Sequence, residues 1–235
     1  MPTLLEISFG PVQSFIAAAR RTADLWAGSR ILSAAVRSAG RELLSAGATL
    51  IYPDPLRVEQ ENSEQSNLSN VLLVEVPDGT NTSQLAKQAI LAARRSITEL
   101  GEEVLRKFPE LRQDLFRTQL QDALEAFTAW AEMLPAESYS STYKKLKTTF
   151  SQRKNTREFL PAAIIHNNLP KNSLDGLRET VLPEQQNSNQ LRRGKWRKLR
   201  LGRGEQLDAL GVLKRFIGSN SDAHFVALTR IAAHD

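Results

Sequence analysis

Residues 3 to 107 set out apolar patterns in the order strand, helix, strand, strand, helix, and few folds accept that order. Thr3 to Phe9 carries apolar residues at Leu5, Ile7 and Phe9, the two-residue period of a strand. Gly10-Pro11 breaks it, and proline suits a first helical position because its missing N–H has no partner there anyway. Val12 to Arg21 and Leu25 to Ala46 read as helices, the second with Leu25, Leu32, Val36 and Leu43 along one face and Gly47 as its stop signal. Ala48 to Tyr52 and Asn70 to Val76 read as strands ended by proline, with polar, acidic Asp54 to Ser69 as the loop between them. Ser83 to Lys107 places Leu85, Ala89, Ala92, Ile97, Leu100 and Leu105 on one helical face. The expected class is α+β, a ferredoxin-like antiparallel sheet with two backing helices. Its fourth strand is not evident, and Leu160 to His166 is the candidate.

Beyond residue 108 the patterns turn helical. Glu110 to Met133 reads as one helix, and Tyr139 to Arg153 as another, with Tyr139, Tyr143, Leu146 and Phe150 spaced by four, three and four. Residues 160 to 203 are rich in Pro, Asn and Gly, and Glu205 to Ile217 forms a last short helix with Leu207, Leu210, Leu213 and Phe216 as its stripe. The expected division is a palm-like domain over 1–108 and a mainly helical, basic region with irregular loops over 109–235.

Composition narrows the chemistry. With no Cys and three His in 235 residues, the chain offers no disulfide scaffold, thiol nucleophile, zinc finger or iron–sulfur site. No uncharged run approaches the ~20 residues of a membrane helix, and no secretory leader is evident, so a cytoplasmic location is expected. There is no GxSxG, HExxH, Walker loop or GxGxxG, and His166 and His224 read as structural. The net charge of +5 is uneven: residues 1–143 hold 13 Lys and Arg against 18 Asp and Glu, residues 144–215 hold 17 against 6. A basic second half suits a polyanion or an acidic partner surface. Its densest part is Arg192 to Arg203, seven cations in twelve residues around Trp196, where guanidinium forks and ammonium charges suit phosphates and an indole suits a base.

The block LEISFGPVQSFIAAARRTADLWAGSRILS at residues 5 to 33 resembles the first palm domain of the large subunit of type III CRISPR effector complexes, the Cmr or III-B branch above all. Three further blocks follow in that family's order: YSSTYKKLKTTFSQRKNTREF at 139–159, KNSLDGLRETVL at 171–182 and GRGEQLDALGVLKR at 202–215. The resemblance implies a palm/cyclase-like fold in an antiviral defence complex, with other Cmr-type subunits, crRNA, target RNA and the remaining part of the large subunit as partners, and no membrane. It also implies an ATP site between two palms. One wall would come from Ser8, Phe9, Gly10, Pro11, Val12, Gln13, Ser14 and Phe15, where helix N–H groups face an anion, together with Arg20 and Ser29. On the residues alone, Phe9, Phe15 and Trp26 are equally well core, and Gly10-Pro11 a plain turn.

Two departures from the family matter. The sequence has no Gly-Gly and no Asp-Asp pair, so the metal-binding Gly-Gly-Asp-Asp turn of the synthase palm is missing, and the palm begins at Met1, leaving no place for an HD nuclease domain. The expectation is a chain not catalytic alone, taking ATP only together with a second palm, binding neither Mg2+ nor Mn2+ itself. Without Cys it takes no zinc, and Asp175-Gly176 makes a turn where relatives carry a zinc element. Arg153, Lys154, Arg157, Arg192, Arg193, Lys195, Trp196, Arg197, Lys198 and Arg200 are the expected nucleic-acid or partner contacts. The alternative is a free-standing nucleic-acid-binding protein that uses the basic 144–215 region.

Overall fold

The structure is a computed structural model that describes residues 1–59, 67–156, 168–184 and 194–220. The elements follow in order: β1 (Thr3–Gly10), α1 (Val12–Ala17), α2 (Thr22–Ser45), β2 (Thr49–Tyr52), α3 (Pro55–Glu59), β3 (Val71–Val76), α4 (Thr82–Lys107), α5 (Gln113–Gln121), β4 (Glu125–Glu132), α6 (Tyr139–Asn155), a 3-10 helix (Gly194–Leu199) and α7 (Ala209–Ser219). They fall into two compact units. The first draws on Met1–Val12, Leu32–Ser96 and the described residues from 124 to 156; the second draws on Gln13–Ile31, Ile97–Ala123 and the described residues from 168 onward.

The first unit holds a four-stranded sheet of order β2-β3-β1-β4 with every neighbouring pair antiparallel, the ferredoxin-like arrangement expected. β1 is central and buried along nearly its whole length. Its register places Leu5 opposite Val74 and Ile7 opposite Leu72 on one face, and Leu4, Glu6 and Ser8 on the other. Leu5, Ile7, Leu72 and Val74 are buried there, and the buried side chains of α2 (Val36, Ala39, Leu43) belong with them, since Gly40 of α2 lies over Leu72. The opposite face is covered by α6. Leu4, Leu73, Ala129, Leu146 and Phe150 form its core, with Phe127, Ala131, Met133 and Tyr143 packed around them. Glu6, buried in the middle of this face, pairs with Lys147 of α6 at 2.9 Å. That pair draws the Lys147 ammonium upward from its usual range. α6 starts on Ser138, whose hydroxyl accepts from the Ser141 N–H.

The fourth strand is the main correction. The single helix expected over Glu110 to Met133 is instead α5 followed by β4, which pairs with β1 over eight residues from Thr3↔Glu132 to Gly10↔Glu125. In EAFTAWAE, Phe127, Ala129 and Ala131 share the face under α6, so a period of two was present. Leu160 to His166, the segment expected in this role, lies outside the described residues. Smaller shifts also occur. α1 stops at Ala17 rather than Arg21, and α3 forms inside the expected Asp54–Ser69 loop, seated by the Asp54 carboxylate accepting from the Leu56 N–H at 2.9 Å. The last helix starts at Ala209, capped by Asp208.

The second unit is helical. α7 is buried nearly all round, and among the described residues α5, the 3-10 helix and the first turns of α2 supply its neighbours. Phe108 joins Trp196 at 4.9 Å and Phe216 at 6.3 Å in an aromatic core. Arg117 and Glu102 pair at 2.7 Å between α5 and α4.

Candidate functional site

The expected nucleotide-facing residues fall in both units, Ser8 to Val12 in the first and Gln13 to Ser29 in the second. Within the first unit, Ser8 and Phe9 are committed to the fold. The Asn70 amide donates to the Phe9 carbonyl at 2.8 Å and to the Ser8 hydroxyl at 3.4 Å, while the Phe9 N–H donates to the Asn70 carbonyl at 2.8 Å. Phe9 itself is core. Gly10, joined to Pro11 by a cis peptide, is part-exposed, and a Cβ there would meet nothing nearer than the Val12 nitrogen at 3.8 Å. A Cβ would therefore fit at this turn in ordinary contact. Pro11 is exposed and Val12 half-buried.

In the second unit Gln13 is exposed, Ser14 lies in α1, and Phe15 is buried. Arg20 is 60 % exposed; it donates to the Ser173 carbonyl at 2.9 Å and lies 3.9 Å from Glu205. Ser29 is half-buried in α2, and Trp26 carries the Arg30 guanidinium over its ring at 5.2 Å. Phe15 therefore joins the core, as the plain reading of the residues allowed, while Gln13 and Arg20 keep polar groups at the surface. A triphosphate needs donors, and within the second unit Gln13 and Arg20 have the chemistry to supply them.

A charged interior, not legible from the sequence, lies behind this segment. The Arg215 guanidinium is bound to Asp24 at 2.7 Å and to Glu205 at 2.8 Å, and reaches the Arg200 carbonyl at 3.2 Å. All three side chains are buried. Burial pushes the Asp24 carboxyl up from its usual range, against the downward pull of Arg215. Asp208 is also pushed up by burial, against the hydrogen bond its carboxylate accepts from the Gly211 N–H at 2.7 Å. Two sequence blocks met separately above, DLWAGS and DALGVLKR, are thus one packing unit: α7 lies on the first turns of α2. Glycine permits the approach, because a Cβ on Gly218 would stand 2.8 Å from the Ala23 carbonyl oxygen and one on Gly28 would stand 3.3 Å from Lys214 Cε. Gly218→Ala is expected to destabilise by about 1–3 kcal/mol, since backbone must move, and Gly28→Ala by less, since its nearest neighbour is a flexible side chain. Thermal unfolding of the two variants checks the order; equal midpoints would refute it.

The basic segment divides similarly. Trp196, expected to offer its ring to a base, is only 8 % exposed, because the 3-10 helix turns it onto Phe108. Lys195 is paired with Glu110 at 2.6 Å. Arg197, Lys198, Arg200 and Arg203 are exposed. At the end of α6, Arg153 donates to the Thr156 carbonyl at 3.0 Å and Lys154 lies 4.9 Å over the Phe150 ring. Arg157, Arg192, Arg193, His166 and His224 lie outside the described residues. The Asp175-Gly176 turn is present: the Gly176 N–H donates to the Asn172 carbonyl at 2.9 Å with φ +71°, a conformation that favours glycine. Among the described residues no group of three or more His, Asp or Glu side chains is placed to hold a metal ion, and no helix is long and apolar enough to cross a membrane.

Comparison with known proteins shows what this chain is similar to. Residues 4–105 match the family described as CRISPR-associated protein Cmr2, N-terminal. No curated protein matches the chain. Among solved structures, the cryo-EM structure of type III-B Cmr-beta in the apo state is 15 % identical, with a TM-score of 0.63 over 99 % of this chain and 34 % of that one. The structure of type III-B Cmr-beta bound to cognate target RNA is 15 % identical, with a TM-score of 0.61 over 92 % of this chain and 32 % of the other. At this identity the likeness is one of fold, and the chain spans about a third of the length of the chains it matches. Residues 4–105, from β1 through α2 and most of α4, thus match the N-terminal model of the Cmr2 family, in line with their resemblance to the large subunit of type III-B CRISPR effector complexes.

Proposed function

We propose that the chain works as the first-palm part of the large subunit of a type III-B CRISPR effector, supplying an assembly surface and one wall of an ATP pocket. The observation that carries this reading is the Cmr2 match over residues 4–105, which takes in the whole GPVQSFIAAARRTADLWAGS segment. Gly10, Pro11, Gln13 and Arg20 are the residues this reading places toward ATP; Arg20 would meet phosphate, and Gly10 would let the ligand come near the backbone. Mg2+ or Mn2+ would be held by carboxylates of a second palm, and this chain alone would make no oligoadenylate. The exposed cations Arg197, Lys198, Arg200 and Arg203 are assigned to RNA backbone or a neighbouring subunit, positioning without reading sequence.

Co-expression with the other Cmr-type subunits and a crRNA gene tests this. The chain is expected to co-purify with the assembled particle and its crRNA. If the particle assembles with crRNA while this chain elutes alone, the proposal is lost.

A further inference from the structure

Among the described residues, the charged interior of the second unit contains a fully buried cation that its ion pairs do not account for. Arg215 has Asp24 and Glu205; its neighbour Lys214 is 1 % exposed, and none of the ion pairs among the described residues includes it. The Lys214 ammonium makes one hydrogen bond, to the Ala18 carbonyl at 3.0 Å, and stands 5.7 Å from the centre of the Phe15 ring. Its stem passes beside Gly28 of α2, which leaves the space by having no side chain. If this position only filled volume, a methionine would do so without desolvating a charge. Burial pushes the amine down to about 8.

What the ammonium holds is informative. Ala18 is the first residue past α1, so its carbonyl belongs to the negative end of that helix, where a cation is favourable. From Ala18 the chain runs through Arg20 and Arg21 into α2, whose first turn closes on the Arg21 carbonyl at 3.0 Å. Arg21 turns its guanidinium to the Arg200 carbonyl, and Arg20 points its own to Ser173 while remaining exposed. The backbone between the helices is thus gripped by Lys214 from α7, and the exposed guanidinium follows two residues later.

We infer that Lys214 is a positioning residue: its ammonium fixes the Ala18 carbonyl and with it the α1–α2 connection, so that Arg20 is held ready for an anionic ligand. The ligand's class, a nucleoside triphosphate, rests on the pocket reading proposed above; the positioning role does not. The charged groups that act on the amine are Asp208 at the N-cap of its own helix, Asp24 of α2 and Asp175 of the turn at 172–178, each of which favours the protonated form against burial.

Hydrogen exchange on the full chain, wild type and Lys214→Met, tests the inference, with ATP affinity read on the particle assembled with the second palm. In Lys214→Met the amides of residues 18–21 are expected to exchange at least tenfold faster while those of α4 keep their protection, and the ATP affinity of the particle assembled with the second palm is expected to fall about tenfold. The wild type provides a second route that needs no variant. Protection of residues 18–21, corrected for intrinsic exchange, should fall between pH 7 and pH 9 as the amine loses its proton, with α4 unchanged. Wild-type protection at 18–21 that stays flat over this range, or a folded Lys214→Met protein with unchanged exchange there, overturns the positioning role. A wild-type particle, assembled with the second palm, that shows no ATP binding counts against the pocket reading alone, and the exchange data on the chain still decide for or against Lys214.

Discussion

Arg215→Met is expected to destabilise the chain by about 3–5 kcal/mol at neutral pH, read as a fall in the denaturant midpoint at unchanged slope. The reason lies in what the substitution leaves behind. Arg215 is 2 % exposed and neutralises two buried carboxylates, Asp24 at 2.7 Å and Glu205 at 2.8 Å, while also donating to the Arg200 carbonyl. Its removal strands two negative charges in an interior that cannot solvate them, and that desolvation is the larger part of the loss. The triad itself is weak evidence of stability, since a buried ion network is often replaceable by apolar side chains at little cost. The triple variant Arg215→Met, Asp24→Leu, Glu205→Leu should therefore recover much of what the single variant loses. Asp24→Asn alone should cost less than Arg215→Met, because it removes a charge that burial already disfavours.

The pH dependence has a definite sign. Asp24 is raised in the folded state with Arg215 present, so the fold binds that proton more tightly than the unfolded chain does. Such a group favours the fold most at low pH, and the advantage is lost as pH rises through its folded value. Without Arg215 the downward pull on Asp24 disappears, so the defect in Arg215→Met should be smaller at pH 5 than at pH 8. A loss under about 1 kcal/mol, or a defect that deepens on acidification, would show that the triad is not the clamp the geometry indicates.

Where sequence reading succeeded, the periods were local. β1, β3 and the helices on the sheet have apolar residues spaced by two or by three and four, and each runs within a few residues of its expected bounds. β4 escaped because EAFTAWAE follows a helix and is built largely of Ala and Glu, residues with helical propensity. The open edge of β1 overrides that propensity by pairing with eight consecutive residues. The charged interior escaped for a different reason. The stripe Leu207, Leu210, Leu213 and Phe216 was readable over Glu205 to Ile217, but whether the other face is wet depends on partners far off, and Asp24 is 191 residues from Arg215. A lysine and an arginine in a basic region read as surface until the carboxylate and the carbonyl that receive them are known. The candidate turn at Gly10-Pro11 was legible as a motif, yet only the fold shows that Ser8 is spent on Asn70 and Phe15 on the core.

Trp196 offers the sharpest separation of core from contact surface. In a run of cations an indole suggests a stacking platform, and loss of one stacked base would weaken single-stranded RNA binding by about 1–3 kcal/mol with little change in stability. Here the ring instead packs on Phe108 at 4.9 Å, and Phe108 meets Phe216 of α7 edge-on at 6.3 Å. Trp196→Ala is therefore expected to lower stability by about 3–5 kcal/mol through lost burial and the cavity left beside Phe108. The complementary variant, Arg197→Ala with Lys198→Ala, touches two exposed side chains and should leave the melting temperature unchanged. If these cations face RNA, that double variant lowers the slope of log affinity against log salt by about 1.4, the share of two phosphates on a single strand. Trp196→Ala, titrated with RNA at a temperature where it is folded, should retain the wild-type slope. The reverse pattern, a stable Trp196→Ala protein with weakened RNA binding, would place the indole at the surface facing a base and dismantle the aromatic core described for the second unit.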